Sequence, residues 1–382
     1  MKRPAVPVNA DIVIAGAGVA GLSTAYHLAL ASKKLRILVL EHERVLGGHA
    51  SGRNAGMIRQ TVTDPFVAQL ALLGRRGMAS AAKKGWKGLS FRPNGSLLLA
   101  KKDKFEELEK IGRTTGRLGI SSRCLTRLQA AAIVPLLKDG DFERALFCPS
   151  DALVEIGPLL DGFRRQLQRL GVKILFGVSP DKIERVKDGF RLPCGSMEIF
   201  SKKVVNAAGA WCAFLAEDAG AQRIRLDVYR RHLYLTPPVR LGQGAWPFVW
   251  DLSGEFYFRP EGRGLLLSPC DKKSMDRKTL GKRTESQDPA VRRLLAGKLK
   301  KFSPVLSRLP LAQGVSGLRT MTRDGRFVIG PDAQLPGFYW AAGLGGHGVT
   351  TCFSAGKLSS DIILGKRADA ALARAFSPSR FL

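Results

Sequence analysis

Four residues near the start of the chain have the types and spacing that hold a dinucleotide. Gly16, Gly18 and Gly21 form the pattern Gly-x-Gly-x-x-Gly, and Glu41 follows the last glycine by 20 residues. The first glycine allows a tight turn, the second lets a pyrophosphate approach the backbone, and the third permits close packing of the following helix. A carboxylate at this spacing accepts hydrogen bonds from a ribose hydroxyl. The pattern therefore predicts a nucleotide cofactor.

The surrounding residues predict the elements that this pattern requires. Residues 10–15 form an apolar strand, a helix with apolar residues at helical spacing follows Gly21, and residues 35–40 form a second β-rich run. The order of strand, glycine turn, helix, strand and acid favours a Rossmann-type α/β fold over a chance glycine pattern. The helix N-terminus would offer free N–H groups and the positive end of its dipole to the phosphates.

Two further segments have small and polar residues suited to the same ligand. Residues 47–56 include four glycines, and backbone N–H groups in such a loop can cradle a phosphate. The apolar strand at 203–206 ends in small residues, which allows a ligand to approach closely. The candidate ligand contacts in these segments are His49, Ser51, Arg53, Asn54, Ala55, Gly56, Ala208, Gly209 and Trp211.

A second glycine pattern near the end of the chain narrows the choice of cofactor. A strand-like run at 338–342 precedes it, and a helix to about residue 364 follows it. Only 34 residues follow Gly348, too few for a second complete nucleotide fold. Two helix N-termini directed at one ligand favour FAD over NAD, because one faces the pyrophosphate and the other stabilises negative charge on the reduced flavin ring. The candidate contacts here are Gly343, Gly345, Gly346, His347, Gly348, Val349 and Thr350.

Motifs along nearly the whole chain resemble those of the D-amino-acid oxidase-like FAD-dependent oxidoreductases. This family includes sarcosine oxidase, glycine oxidase and D-arginine dehydrogenase, and the chain is most similar to the D-arginine dehydrogenase branch. The motifs occur in the family's order. They are Gly-His-Ala-Ser-Gly-Arg at 48–53, Val-Asn-Ala-Ala-Gly-Ala-Trp-Cys at 205–212, Phe-Tyr at 256–257, Gly-Leu-Arg at 317–319, Asp-Gly at 324–325 and Gly-Gly-His-Gly at 345–348.

The resemblance implies an α/β fold in which a Rossmann-type FAD-binding domain carries an inserted α+β substrate domain on a largely antiparallel sheet. The FAD-binding domain would be discontinuous. It would comprise residues 1–90, 150–222 and 308–382, with residues 91–149 and 223–307 forming the substrate domain. Strand-like runs at 96–100, 232–236, 255–259 and 264–268 suit the sheet of the substrate domain.

The resemblance also implies the reaction and its residues. A hydride would pass from the α-carbon of an amino acid, expected to be a D-amino acid, to flavin N5, and the imino acid would hydrolyse to a keto acid. Arg319 occupies the position of the family's carboxylate-binding arginine, and a guanidinium grips a carboxylate through two hydrogen bonds. Tyr257 would close over the substrate, and Arg231 resembles a substrate-side arginine. His347 and His49 would hold the amine neutral or tune the flavin. A purely structural role stays open for Tyr257 and both histidines, and a surface charge stays open for Arg231.

Two absences bear on the chemistry. No cysteine precedes Thr-Met-Thr-Arg-Asp at 320–324, where sarcosine oxidase attaches its FAD, so noncovalent FAD is expected. No lysine lies in 264–267, where such oxidases place the lysine that activates oxygen. The second absence favours a dehydrogenase, and a quinone, another carrier and oxygen all stay open as electron acceptors. No cysteine pair has metal-ligand spacing, and no metal is expected.

Composition constrains the partners and location. The 61 lysines and arginines exceed the 32 aspartates and glutamates, for a net charge of +29. Such charge can attract RNA or an anionic membrane surface, but a solvated surface is favoured because no nucleic-acid motif accompanies it. Six dispersed cysteines favour a reducing, cytoplasmic location, with peripheral membrane attachment open. No apolar run of about 18 residues predicts a membrane span.

Three other functions stay open at this stage. A glycine-, sarcosine- or proline-type amine oxidase would produce peroxide. A tRNA wobble-uridine modification enzyme, which carries a domain of the same family, would use the basic charge as a phosphate track with steep salt dependence. A subunit that holds FAD only for structure would not reduce the flavin with any amino or hydroxy acid.

Overall fold

The computed structural model describes residues 6–239, 245–280 and 288–382. Lysine and arginine are concentrated in the sequence between residues 272 and 301, and residues 281–287 of this stretch lie outside the described ranges. The strands are β1 (Val6–Ala15), β2 (Ile37–Glu41), β3 (Met57–Ile58), β4 (Phe91–Arg92), β5 (Ser96–Ala100), β6 (Arg123–Thr126), β7 (Arg144–Cys148), β8 (Ala152–Val154), β9 (Lys173–Phe176), β10 (Glu184–Val186), β11 (Gly189–Cys194), β12 (Met197–Asn206), β13 (Asp227–Leu235), β14 (Phe248–Asp251), β15 (Phe256–Glu261), β16 (Gly264–Ser268), β17 (Lys273–Met275), β18 (Gln313–Met321), β19 (Val328–Pro331) and β20 (Phe338–Ala342).

The helices connect and cover these strands. They are α1 (Val19–Ala31), α2 (Pro65–Lys83), α3 (Phe105–Arg117), α4 (Arg127–Ile133), α5 (Ile156–Arg169), α6 (Cys212–Ala219), α7 (Arg277–Leu280), α8 (Pro289–Phe302), α9 (Pro304–Ser307), α10 (Gly348–Ile363) and α11 (Ala370–Phe376). No helix within the described ranges is long and apolar enough to cross a membrane.

The first sheet brings the ends of several parallel strands to one edge. Its order is β10-β11-β12-β1-β2-β9, with β20 beside β12 and β19 beside β20. Strand β1 pairs in parallel with both β2 and β12, so that Ala15 lies opposite Leu40 and Asn206. Strand β20 continues the same direction, with Trp340 opposite Asn206. Because parallel strands end at the same edge, the turns after β1, β2, β12 and β20 meet there.

Three helices pack tightly against each other beside this edge. The side chain of Ser23 in α1 donates a hydrogen bond to the Cys352 carbonyl of α10 at 2.7 Å. Gly356 of α10 faces Ser23 so closely that an added Cβ would lie 2.2 Å from the serine Oγ. Gly74 of α2 faces α10 in the same way, at 2.2 Å from the Thr350 carbonyl oxygen. Small residues therefore set the position of the α10 N-terminus.

The second sheet forms a wall opposite the first. Its order is β17-β13-β16-β15-β14-β5-β7-β6, and β18 also pairs with β13. All of its pairs are antiparallel except that of β5 with β14. The strand runs predicted at 96–100 and 264–268 coincide with β5 and β16, and those at 232–236 and 255–259 overlap β13 and β15.

The domain ranges stay a prediction. Strand β18 does not follow them, because its sheet pairing differs from the domain to which the prediction assigned it. Strand β18 lies in the range assigned to the FAD-binding domain, yet it pairs with β13 of the second sheet along Gln313–Met321. The order of motifs along the sequence predicts the boundary at residue 308, but it contains no information on the long-range pairing that joins β18 to β13. One strand thereby reaches from the second sheet to the edge of the first.

We expect Gly356→Ala to lower the free energy of unfolding by about 1–3 kcal/mol, because the new methyl group overpacks the contact with Ser23. Gly297→Ala is the matched control, since Gly297 also lies inside a helix but has no atom within 4 Å of an added Cβ. This control should be neutral or stabilising by up to about 1 kcal/mol. Urea unfolding measures both variants, and equal effects would contradict the packing argument.

Candidate active site

Two joined pockets lie where the strand ends of the first sheet meet the second sheet. The glycine-loop pocket is lined by the turns after β1, β2 and β12. The arginine pocket is lined by the second sheet, the loop before α10 and the segment 53–59. Both pockets share the lining residues Gly18, Ala50, Ser51, Ala207, Gly209 and Leu318. One extended ligand can therefore occupy both.

The first glycine pattern builds one wall of the glycine-loop pocket. Gly16 has φ +109°, and a Cβ there would lie 2.4 Å from the Ala207 carbonyl oxygen. A Cβ at Gly21 would lie 1.9 Å from the Gly16 carbonyl oxygen, which explains why the helix needs glycine behind the pocket. Gly18 precedes α1 directly and lines both pockets. The first turn of α1 thus faces the pocket at close range.

Side chains after β2 tie the neighbouring loops to this helix N-terminus. The N–H of Ala17 donates to Glu41 Oε2 at 2.8 Å, and the N–H of Glu43 donates to Glu41 Oε1 at 2.9 Å. The N–H of Val19 donates to Ser51 Oγ at 3.0 Å. Glu41 and Ser51 both line the glycine-loop pocket, so their remaining lone pairs are available to a ligand hydroxyl.

The second glycine pattern places another helix N-terminus beside the arginine pocket. Gly343, Gly345 and Gly346 all have positive φ values, of +67°, +54° and +88°. His347 caps α10, which begins at Gly348. A Cβ at Gly346 would lie 2.5 Å from Cζ of Arg319, so the loop lies directly against that guanidinium. The structure confirms two helix N-termini at one continuous cavity.

The face of the second sheet presents the predicted substrate residues together. Tyr229 lies opposite Arg319 and Arg231 lies opposite Gly317 in the pairing of β13 with β18, so both arginines are diagonal neighbours on one face. Tyr257 of β15 is 2% exposed, and its ring lies 4.7 Å from that of Trp250 on β14. Arg231, Arg319, Tyr257 and Trp250 all line the arginine pocket.

Burial and mutual repulsion set the charge states of this pocket. Desolvation and the charge of Arg231 lower the pKa of Arg319 to about 10, which still leaves the guanidinium charged at neutral pH. Burial raises the pKa of Tyr257, so its hydroxyl stays a hydrogen-bond donor. Desolvation together with Arg59 and Arg319 lowers the pKa of His347 to about 3. The imidazole of His347 is therefore neutral.

Backbone carbonyl groups, rather than a carboxylate side chain, hold the guanidinium of Arg231. Its Nε donates to the carbonyl of Asp271 and its Nη2 to the carbonyl of Cys270, each at 3.1 Å. Within the described residues, the bonds of this guanidinium go to these two carbonyls and none goes to a carboxylate. The open alternative of a surface arginine is wrong, since Arg231 is 8% exposed.

The catalytic role of His49 stays a prediction. Its Nε2 lies 2.9 Å from Glu43 Oε1, and its ring contacts that of Trp211 at 4.6 Å. His49 lines the glycine-loop pocket, whereas Arg319, Tyr257, His347 and Arg231 line the arginine pocket. The histidine belongs to the loop after β2, and the parallel order of the strands places that loop at the nucleotide end.

The predicted cofactor residues divide between the two pockets. Gly16, Glu41, His49, Ala208 and Trp211 line the glycine-loop pocket, and Gly18, Ser51 and Gly209 line both. The remaining predicted contacts line the arginine pocket. These are Arg53, Asn54, Ala55, Gly56, Gly343, Gly345, Gly346, His347, Gly348, Val349 and Thr350. Of the predicted cofactor residues, Gly21 alone lines neither pocket, because it lies behind the wall of the glycine-loop pocket.

Arg59 and Trp250 are among the lining residues that the sequence did not predict. Arg59 follows β3, its backbone N–H donates to Thr350 Oγ1 at 3.1 Å, and its guanidinium lies 4.2 Å above the Trp250 ring. A charged residue directly after the apolar pair at 57–58 was a usable signal for Arg59. No local signal marks Trp250, because only the sheet brings β14 to the site.

The pockets fit FAD on features of this structure. Glycines at 18, 209 and 345 keep the cavity free of side chains, and a Cβ at Gly209 would meet no atom within 4 Å. The arginine pocket and the glycine-loop pocket have cavity volumes of about 180 and 480 Å³, which together lie within the roughly 300–1,000 Å³ of typical ligand sites. Glu41 would hold the ribose, the α1 N-terminus the pyrophosphate and the α10 N-terminus the flavin.

Within residues 6–239, 245–280 and 288–382, no three histidine, cysteine, aspartate or glutamate side chains are grouped to hold a metal ion.

Comparison with known proteins supports this fold. The FAD-dependent oxidoreductase domain-containing protein 1 of Bos taurus is 27% identical over 402 residues, covering 94% of this chain and 82% of the relative. The 4-methylaminobutanoate oxidase of Paenarthrobacter nicotinovorans is 23% identical, and the match covers 92% of this chain but 43% of that enzyme. L-Proline dehydrogenase from P. horikoshii superposes with a TM-score of 0.87 at 20% identity over 98% of both chains.

Glycine oxidase from Geobacillus kaustophilus superposes similarly, with a TM-score of 0.83 at 22% identity over 98% of this chain and 100% of the oxidase. These likenesses confirm the predicted fold, a Rossmann-type FAD-binding domain with a substrate domain. The family model of FAD-dependent oxidoreductases matches residues 11–362, which confirms the resemblance found in the motifs. The chain therefore belongs to the D-amino-acid oxidase-like family of FAD-dependent oxidoreductases.

Proposed function

We propose that this protein oxidises the bond between the α-carbon and the nitrogen of an amino acid. The observation that carries the proposal is the placement of Arg319. Its guanidinium lies against the glycine loop that precedes α10 and shares a pocket with Tyr257 and neutral His347. A carboxylate held there would put the adjacent α-carbon beside the end of the cavity that suits the flavin.

The residues of the pocket perform three tasks in this reaction. Arg319 binds the substrate carboxylate through two charge-assisted hydrogen bonds, and Tyr257 supplies a protonated hydroxyl donor. The aromatic face of Trp250 and the ring of Tyr257 exclude water from one side. Together they fix the α-hydrogen in one direction, which is the main requirement of a hydride transfer.

The electrostatics of the pocket favour the reactive form of the amine. The positive charges of Arg59, Arg231 and Arg319 disfavour a further cation nearby, so they lower the pKa of a bound substrate ammonium. The neutral amine keeps the lone pair that forms the imine. FAD would supply the acceptor for the hydride, and the imino acid then reacts with water to give a keto acid and ammonia, or an amine where the nitrogen carries a second substituent. The D configuration of the substrate remains a prediction from the resemblance.

We expect Glu41→Ala to weaken FAD binding by about 10-fold or more. The variant removes the charged acceptor for the backbone N–H groups of Ala17 and Glu43 and for the ribose hydroxyl. Exposed Glu217→Ala is the matched control and should retain FAD. Flavin absorbance of the purified protein and equilibrium titration of the apoprotein with FAD measure the effect. Equal FAD affinity of the Glu41 variant and the control would contradict the assigned role.

We expect Arg319→Ala to lower kcat/KM for amino acids by about 100-fold or more, mostly through KM, while bound FAD is retained. Arg319→Lys should recover part of this loss, since lysine keeps the charge but not the forked geometry. Anaerobic flavin reduction by a panel of D-, L- and N-methyl amino acids gives the rates. Exposed Arg323→Ala serves as control. Unchanged kinetics in the Arg319 variant would remove Arg319 from the carboxylate-binding role.

We expect His347→Gln to leave the inflection of the pH profile of kcat/KM unchanged between pH 5 and 8. The pKa of His347 lies near 3, below its ordinary 6.5, so the imidazole takes up a proton only below this range. The inflection then belongs to the substrate amine. Disappearance of an ionisation near pH 6–7 in the variant would show that His347 titrates during turnover.

A further inference from the structure

The arginine pocket holds more positive charge than one substrate carboxylate neutralises. Arg59, Arg231 and Arg319 line its inner part, and no aspartate or glutamate lines it among the described residues. Arg53 lines its outer part on the loop assigned to the cofactor. A carboxylate bound by Arg319 alone would leave two inner guanidinium groups without an anionic partner.

The nearest acids are committed to other groups. Asp271 accepts from the His232 backbone N–H at 2.9 Å, and its second oxygen lies 2.7 Å from His232 Nδ1. Buried Asp151 accepts from Gln60, Thr61 and Ser96. No ion pair between Arg59 and an acid occurs in the described ranges. Arg231 is buried, and Arg59 and Arg319 are half-buried. Charges partly withdrawn from water without an anionic partner are costly, so this arrangement favours an anion from outside the chain.

The inner arginines come from separate parts of the chain. Arg231 and Arg319 are diagonal neighbours on the face of the second sheet. Arg59 follows β3, its backbone N–H is bonded to Thr350 at the start of α10, and its guanidinium lies over the Trp250 ring of the same sheet. Burial, and among the charges Arg231, lower the pKa of Arg59, which is consistent with guanidinium groups close enough to repel each other.

We propose that the substrate is an amino acid with two carboxylates, bound at both ends within this pocket. This inference rests on the proposed function and names its substrate class. Arg319 binds the carboxylate next to the reacting amine. Arg59 binds the second carboxylate, and Arg231 adds its charge and its remaining N–H groups between them. The second carboxylate is carried on the α-carbon side chain or on the amine nitrogen.

Binding of unreactive acids tests the proposal without turnover. Malonate, succinate and glutarate are titrated into the FAD-loaded protein beside acetate, propionate and butyrate at one ionic strength. Flavin difference absorbance and calorimetry give the dissociation constants. We expect the best dicarboxylate to bind at least about 10-fold more tightly than the best monocarboxylate, the equivalent of one added charge-assisted hydrogen bond. Equal affinities would overturn the proposal.

Variants assign the second carboxylate to its arginine. Arg59→Met should weaken dicarboxylate binding at least about 10-fold more than monocarboxylate binding, and Arg59→Lys should restore part of the difference. Arg223→Met, whose side chain is 86% exposed, is the matched control and should keep the full preference. Equal losses for both ligand classes in the Arg59 variant would overturn the role of Arg59. The comparison of dicarboxylate and monocarboxylate affinities in the wild-type protein decides the substrate class even where a variant does not fold.

Turnover separates this inference from the function on which it rests. Flavin reduction by aspartate, glutamate and iminodiacetate is compared with reduction by alanine, glycine and sarcosine. Reduction by the one-carboxylate amines with equal or higher kcat/KM would leave amino acid oxidation standing and overturn the two-carboxylate class. Failure of every amine to reduce the flavin, with the dicarboxylate binding preference intact, would overturn the proposed oxidation and support the two-carboxylate site.

Discussion

The parallel pairing of β1 with β2 and β12 is the constraint on which the site depends. Because these strands run in one direction, the turns that begin at Gly16, His42 and Ala207 emerge at the same edge. Strand β20 adds the loop before α10 to this edge. Residues from distant parts of the sequence thereby enclose one elongated cavity, and two helix N-termini face it with their positive dipole ends.

The second sheet determines what the cavity can bind beside its cofactor. Strand β18 pairs with β13 along its length, which places Arg319 beside Arg231 on one face. The same sheet brings Trp250 and Tyr257 together as an aromatic wall. A low-polarity wall strengthens the electrostatic interactions next to it, since less water screens them. The pocket is therefore selective for negative charge and unfavourable to a bound ammonium.

Local sequence patterns predicted the cofactor end of the site more completely than the substrate end. The glycine spacing and Glu41 reflect what the backbone needs within one short segment. The structure places Gly16, Gly18 and Glu41 around one pocket. Arg319, Arg231 and Tyr257 came from family motifs, and the structure brings them together. His49 follows β2 and lines the glycine-loop pocket rather than the arginine pocket, so its catalytic role stays a prediction.

The sequence by itself determined the fold class and the FAD-binding turns, since these depend on short segments with fixed spacing. The resemblance to the family motifs proposed Arg319 as the carboxylate-binding residue. Tertiary structure alone decided that Arg59, Arg231 and Arg319 line one pocket. It also decided that His347 is neutral there. The convergence of side chains on one cavity and the pKa of a buried group arise from chain segments far apart in sequence, whose distance and desolvation no local pattern encodes.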